Sequence, residues 1–205
     1  MKTVKTKIFE YGEKEMVYLK NSDPLLGEEI ERIGRVEREI IPELFPALIY
    51  AVVGQQISQK ASRTIWGRLQ VRFEDISPEI MAEASIEDIR QCGIPAAKAG
   101  YIKGISQTVA LGEFNLNSLV MLSDKEAVKK LSALHGIGVW TAENLLLNSM
   151  ERPNIISYGD IAIRRGIMKL YSLSGLTREQ FNLYKNRYSP YASVASIYLS
   201  KIAHE

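Results

Sequence analysis

Leu134-His135-Gly136-Ile137-Gly138-Val139-Trp140-Thr141-Ala142 is the stretch on which the reading of this chain turns. Two glycines flank one apolar residue between two segments of helical pattern, which predicts a helix, a tight turn and a second helix. Ile137 is expected to plug the core between the two helices. Gly136 and Gly138 are expected to supply backbone angles and clearance that a Cβ would block. The second helix should begin at about Val139, where its unpaired N–H groups suit an anion such as a phosphate and read no sequence. An isolated Gly-x-Gly is usually only a helix end and a short connection, so the flanks must decide. Downstream, Asp160 opens a further helical pattern, Ile161 to Leu170, as its N-cap.

Helix signals dominate outward from there. Asn21-Ser22-Asp23-Pro24 opens a helix with Asp23 as N-cap and Pro24 at the first position. Before it, residues 1–20 are mixed, and Met16-Val17-Tyr18-Leu19 is the one strand-like piece. Leu44 to Leu69 keeps helical spacing, with a break expected near Gly54. Ser77-Pro78-Glu79 starts another helix, and Ser85-Ile86-Glu87-Asp88 resembles a capping box whose helix stops at Cys92-Gly93. Lys98 to Leu111 is helical and ends at Gly112. Ser123-Asp124-Lys125-Glu126 and Thr177-Arg178-Glu179-Gln180 are two more capping boxes. After Pro190, Tyr191 to Ile202 forms a last helix with Val194, Ile197, Tyr198 and Ile202 on one side. About ten short to medium helices and little strand predict an all-α protein.

Composition bounds the function. The 205 residues make one large domain or two small interlocked ones. Lys and Arg total 26 against 24 Asp and Glu, which excludes a histone-like coat of positive charge but not a local basic face. With Cys92 as the single cysteine, the chain cannot build a disulfide framework, an iron–sulfur cluster or a cysteine zinc site. Cys92 itself reads as a buried or half-buried helix-end residue. His135 and His204 are too few for a histidine metal site. No apolar run reaches membrane-spanning length, and Met1-Lys2-Thr3-Val4-Lys5 lacks the apolar core of a signal peptide. The expectation is a soluble, intracellular, cytoplasmic protein with no membrane partner.

The nine residues at 134–142 resemble the helix-hairpin-helix of the DNA glycosylase superfamily named for that hairpin, its Gly/Pro-rich loop and its aspartate. Ser157-Tyr158-Gly159-Asp160 resembles the loop and the catalytic aspartate at the family's separation. Val53-Gly54-Gln55-Gln56-Ile57-Ser58 is similar to the segment that enters the gap left by a flipped nucleotide. Cys92-Gly93-Ile94 and Ala97-Lys98-Ala99 resemble the short helix-and-lysine element, and Pro190-Tyr191-Ala192-Ser193 the entry to the last helix of the alkylbase branch. The likeness runs from about Pro24 to Ile202 in the family's order.

Two absences choose the branch. Trp140 stands where bifunctional members keep the lysine that forms a Schiff base, and an indole cannot form an imine. The four cysteines of the iron–sulfur members are missing after the catalytic loop. What remains resembles the 3-methyladenine DNA glycosylase II group, with that group's long N-terminal β-rich domain reduced to some twenty residues.

The resemblance implies monofunctional hydrolysis of the N-glycosidic bond of alkylated purines in damaged double-stranded DNA, leaving an abasic site. Asp160 would be the catalytic group. An N3- or N7-alkylated purine is already cationic and leaves with little help from an acid, so a single carboxylate near C1′ suffices. Trp140 matches an aromatic position of the base pocket. Tyr158 and Tyr50 are further aromatic candidates, each with an ordinary packing role as its alternative. Asn144 replaces the family's second hairpin-helix aromatic, and the last helix lacks its usual tryptophans and arginine. Either Gln55 or Gln56 would fill the hole in the duplex. Ser58, Lys98, Gly136, Gly138 and Thr141 are the expected DNA contacts, and Lys60, Arg63, Arg164 and Arg165 are further phosphate candidates. His135, in place of the usual hairpin proline, is expected to face solvent.

The expected architecture is two helical lobes around a DNA-binding cleft. Residues 45–153 would carry the hairpin, and 1–44 with 154–205 would carry Asp160. No cofactor and no catalytic metal is expected; the family can hold a monovalent cation on hairpin carbonyls, here Ser132, Leu134 and Gly136. The protein is expected to act as a monomer. The alternatives are a superfamily member acting on oxidised or mismatched bases and a non-catalytic DNA-binding module that uses the hairpin alone.

Overall fold

The computed structural model describes residues 3–205. Met1 and Lys2, part of the stretch read above for a signal peptide, lie outside the described residues. The described chain forms β1 (Lys7–Ile8), α1 (Glu13–Ser22), α2 (Pro24–Ile33), β2 (Glu39–Ile40), α3 (Leu44–Gly54), α4 (Gln59–Arg72), α5 (Pro78–Glu83), α6 (Ile86–Gln91) and α7 (Ala96–Ala110). A 3-10 turn at Leu116–Met121 follows, then α8 (Asp124–Leu131), α9 (Val139–Asn148), α10 (Ile161–Leu170), α11 (Arg178–Tyr188) and α12 (Ala192–His204). The two short strands pair with each other. The protein is all-α. Among the described residues no helix is long and apolar enough to cross a membrane.

The chain divides into two compact units. One joins the segment ending at Lys7 to Ile40–Met150; the other joins Ile8–Glu39 to Glu151–Glu205.

In the first unit α3 is the central helix. Phe45, Ala47, Leu48, Ile49, Val52 and Val53 are all buried, and it packs on α4, α7 and α9. A helix so apolar has no solvent face to lose, which is why its sequence shows little amphipathic stripe. The break expected near Gly54 is present: the backbone leaves the helix at Gln55 and restarts at Ser58, whose hydroxyl accepts from Ala61 N at 3.2 Å. α7 holds its neighbours by lysines. Lys103 Nζ donates to Ala82 O and Ala84 O at 3.2 and 2.7 Å, meeting carbonyls that the end of α5 leaves unpaired.

In the second unit α10 packs chiefly on α12. The expected one-sided last helix is instead buried nearly all round, from Ala192 to Leu199 and again at Ile202. Small residues at Ala192, Ser193, Ala195 and Ser196 let neighbours approach from several directions, so an aliphatic stripe understates the burial. Met16 to Leu19, read as strand-like, is helical within α1. Leu19 is its one buried residue, and packing of α1 on α2 overrides the β-leaning run.

Capping chemistry positions most helix starts. Ser123 with Glu126 and Thr177 with Gln180 form reciprocal boxes. At Ser85 the third residue is the shorter Asp88, and its carboxylate takes the Ser85 hydroxyl at 2.6 Å. Asp23 caps α2 and is almost fully buried. Its other oxygen accepts from Tyr171 Oη and from Arg187 Nη1 at 3.1 Å, and Tyr171 Oη lies 3.1 Å from Tyr188 Oη. This network ties the end of α10 to α2 and α11, and a buried carboxylate so satisfied avoids the penalty of isolation.

Candidate functional site

The hairpin forms as predicted. α8 ends at Ser132, Ile137 N donates to Leu134 O at 3.0 Å, and Ala142 N donates to Gly138 O at 3.0 Å as the first turn of α9 closes. Ile137 is buried between the helices. Gly136 has φ +87, and a Cβ there would lie 2.3 Å from Tyr101 Cγ. The turn therefore rests directly on the Tyr101 ring, which also meets His135 edge-on at 4.9 Å. His135 is exposed, as expected.

The two glycines differ. Gly138 has φ −90, and a Cβ built on it meets nothing within 4 Å. The expectation that its own fold requires glycine here is corrected: any clearance Gly138 provides is toward the outside. No side-chain cap closes α9 at this end, and Val139 is 55% exposed. An uncapped helix start with open space before it suits a phosphate.

Thr141 is buried, and its hydroxyl accepts from Gln55 Nε2 at 3.1 Å. The same amide donates to Gly136 O at 2.9 Å. These bonds separate the two glutamines. Gln55 faces the hairpin, whereas Gln56 is exposed with φ +56. Lys98 Nζ donates to Val53 O at 3.0 Å and to Gln55 O. Burial pushes its ammonium below the usual lysine range. Three expected DNA-contacting side chains (Gln55, Lys98 and Thr141) are thus engaged inside the first unit. Ser58 caps α4 and stays exposed.

Trp140 is half-buried at the start of α9. Asn144 Oδ1 accepts from Asn148 Nδ2 one turn further along. Tyr50 is half-buried with its ring 5.2 Å from Trp66, an ordinary aromatic pair. For the family's monovalent cation, Leu134 O accepts from Ile137 N and Gly136 O from Gln55 Nε2. Each carbonyl keeps a second lone pair, and a neutral oxygen set fits a cation of single charge.

The second unit carries Asp160. The segment before it is stitched to α12 by serines: Ile155 N donates to Ser193 Oγ at 2.9 Å, and Ser196 Oγ donates to Ile155 O at 2.9 Å. Asp160 then caps α10, its Oδ1 accepting from Ala162 N at 2.9 Å and Ile163 N at 3.2 Å. The carboxylate is half-buried and held in one orientation by backbone donors. α10 is fixed beyond it by Gly166, packed on the backbone of Leu199.

Tyr158 lies beside this cap with its ring edge-on to Phe181 at 5.3 Å. The guanidinium carbons of Arg164 and Arg178 lie 5.2 and 5.4 Å from its centroid. A ring already facing two cations is a poor wall for a cationic base, so packing accounts for Tyr158 better than the base pocket does. Sequence reading missed Tyr101 and Arg178. Tyr101 is 35 residues before Gly136, and no local pattern joins them.

Comparison with known proteins bears on both units. The family model described as HhH-GPD superfamily base excision DNA repair protein matches residues 49–187. DNA-3-methyladenine glycosylase 1 of Schizosaccharomyces pombe is 30% identical over 168 residues, covering 78% of this chain and 72% of that protein. The crystal structure of a DNA-3-methyladenine glycosidase from Bacillus halodurans superposes with a TM-score of 0.78 at 30% identity, covering 97% of this chain and 92% of that one. The Schizosaccharomyces pombe 3-methyladenine DNA glycosylase Mag1, in complex with abasic DNA, superposes with a TM-score of 0.81 at 27% identity, covering 92% and 95%. The chain spans 58% and 65% of the length of two Bacillus subtilis relatives.

Proposed function

This chain belongs to the HhH-GPD superfamily of base excision DNA repair proteins, and on that premise we propose that it is a monofunctional DNA glycosylase removing alkylated purines from duplex DNA. The observation that carries the reading is the carboxylate of Asp160, oriented by two backbone N–H groups at the start of α10. The relatives named as 3-methyladenine glycosylases support the substrate class. The DNA-bound state of one structural neighbour supports DNA as partner. The proposed DNA substrate supports action inside the cell, and we take the acting species to be a monomer.

The target nucleotide must leave the stack before the glycosidic bond is reachable. Gln56, exposed and outside the Gln55 contacts, is the residue to fill its place. The start of α9, with Gly138 before it, anchors a backbone phosphate. A cation on Ser132, Leu134 and Gly136 carbonyls would add positive charge beside that phosphate. Trp140 offers the extruded cationic purine a stacking face. As the C1′–N bond breaks, its electron pair neutralises the alkylated base. Asp160 stabilises the positive charge that develops on the sugar, and water adds at C1′ while the carboxylate takes its proton. The chemistry needs no amine nucleophile, and Trp140 offers none.

Release of 3-methyladenine and 7-methylguanine from methylated DNA, wild type beside Asp160→Asn, tests this reading. Loss of a group that stabilises transition-state charge should slow release by about 10²–10³-fold, with DNA binding retained. Asparagine still caps a helix, so folding is preserved. Undiminished release in the variant sinks the role of Asp160. Release confined to oxidised or mismatched bases in a panel of lesion duplexes would redirect the substrate class.

A further inference from the structure

Gln55 lies between two elements to which the proposed function gives separate tasks. Its amide carries two hydrogens, and both are placed: one on Gly136 O at 2.9 Å, within the turn, and one on Thr141 Oγ1 at 3.1 Å, in the first turn of α9. One side chain thus spans the hairpin turn from its glycine to the helix that follows. The backbone of Gln55 is held from the other side, where Lys98 Nζ donates to the carbonyls of Val53 and Gln55. Those carbonyls belong to the end of α3, where the helix leaves acceptors without partners.

The next residue departs sharply. Gln56 is not glycine, yet it takes φ +56 and is exposed. Such a conformation costs energy and persists only where neighbouring contacts over-determine it. The clamp on Gln55 supplies those contacts directly before it. Ser58 supplies a second fixed point just after, as the N-cap of α4.

We infer that Gln55 is a positioning residue that locks the loop bearing Gln56 to the hairpin, with Lys98 as its second pin, so that the loop and the hairpin move as one body. Gln55 itself does not contact DNA. The functional half of this inference rests on the glycosylase reading: a residue entering the duplex gains when its register to the phosphate anchor is set in advance.

The test combines hydrogen exchange on the free protein with single-turnover release of 7-methylguanine. The variants are Gln55→Ala, the shape-preserving Gln55→Glu, Gln56→Ala and the double variant of both alanines. Loss of two hydrogen bonds should speed amide exchange about 5- to 10-fold in residues 55–58 and 136–142 together, while exchange in α12 stays unchanged. Gln55→Glu, which removes both donors and sets a carboxylate against the Gly136 carbonyl oxygen, should do the same even if the alanine variant folds poorly. Gln55→Ala should slow base release about 10-fold in the wild-type background but less than about 2-fold when Gln56 is already alanine. Exchange at 136–142 within about 2-fold of wild type overturns the clamp. Losses that multiply independently in the double variant overturn its action through Gln56. Absence of base release by the wild type would instead count against the glycosylase reading, and exchange on the free protein would still decide the clamp.

Discussion

A Cβ on Gly166 would fall 2.1 Å from the carbonyl oxygen of Leu199, so α10 and α12 meet there backbone to backbone. The helix that begins with Asp160 is thereby set at van der Waals distance from the most buried helix of its unit. In an exposed helix, Gly→Ala gains about 1 kcal/mol. Here the added methyl group has no flexible side chain to displace. Gly166→Ala should destabilise by about 2–3 kcal/mol or more, read as a lowered denaturation midpoint in urea. A midpoint at or above that of wild type would show that the helices can separate freely.

The two hairpin glycines should separate in a stability and binding experiment. Gly136→Ala meets both a left-handed φ and the Tyr101 ring, and should cost about 1–3 kcal/mol. Tyr101→Ala in the same chain should return part of that loss, because the ring atoms at 2.3 and 2.5 Å are gone while Tyr101 Cβ at 2.8 Å remains. Gly138→Ala has open space and an ordinary φ, so it should change stability by about 1 kcal/mol at most. It should still weaken binding to damaged and undamaged duplexes alike at fixed salt. Unchanged affinity would remove this turn from the phosphate contacts.

Borohydride reduction tests the chemistry assigned to Trp140. An amine that attacks C1′ leaves an imine, which reduction traps as a covalent protein–DNA complex. With an indole at that position, the wild-type protein incubated with alkylated or abasic duplex should give no trapped band on a denaturing gel. A trapped complex would locate an amine elsewhere and would falsify the monofunctional assignment.

Alkaline stability should report the buried phenols. Burial pushes the hydroxyls of Tyr188, Tyr171 and Tyr198 well above the usual tyrosine range, and contact with Asp23 pushes Tyr171 further in the same direction. In the unfolded chain these phenols ionise at about pH 10. Below that pH their contribution to stability is complete. As pH rises past it, the unfolded chain releases protons that the fold retains, so stability falls, by at most about 1.4 kcal/mol per pH unit for each phenol. Urea titrations from pH 9 to 11.5 should show this decline, and Tyr188→Phe should make it shallower. An equal slope in the variant would mean that Tyr188 ionises in the fold as it does in water.

Much of the local structure was legible in residues near one another. Asp23-Pro24, Ser77-Pro78, Ser123 with Glu126, and Thr177 with Gln180 open helices where expected, because a cap is a contact across three residues. The hairpin was legible for the same reason, since Gly136 and Ile137 carry its angle and its plug within one turn. Asp160 was found as a cap, and its bonds to Ala162 and Ile163 are local too. The strand-like run Met16 to Leu19 misled because its β preference is weak beside helix packing.

What the chain alone determined is therefore an all-α protein with a glycine turn between two helices, a helix-capping carboxylate after it and no amine at Trp140. Tertiary structure decided how the side chains divide between holding the fold and facing outward. It turned Gln55, Lys98 and Thr141 inward and left Gln56 and Gly138 facing out. It also put Tyr101 under Gly136 and two guanidiniums against Tyr158. The contacts of Gln55, Lys98 and Tyr101 join residues dozens of positions apart, and each depends on distance and direction in space. A glutamine's composition and spacing are the same whether its amide meets a carbonyl 81 residues away or meets water.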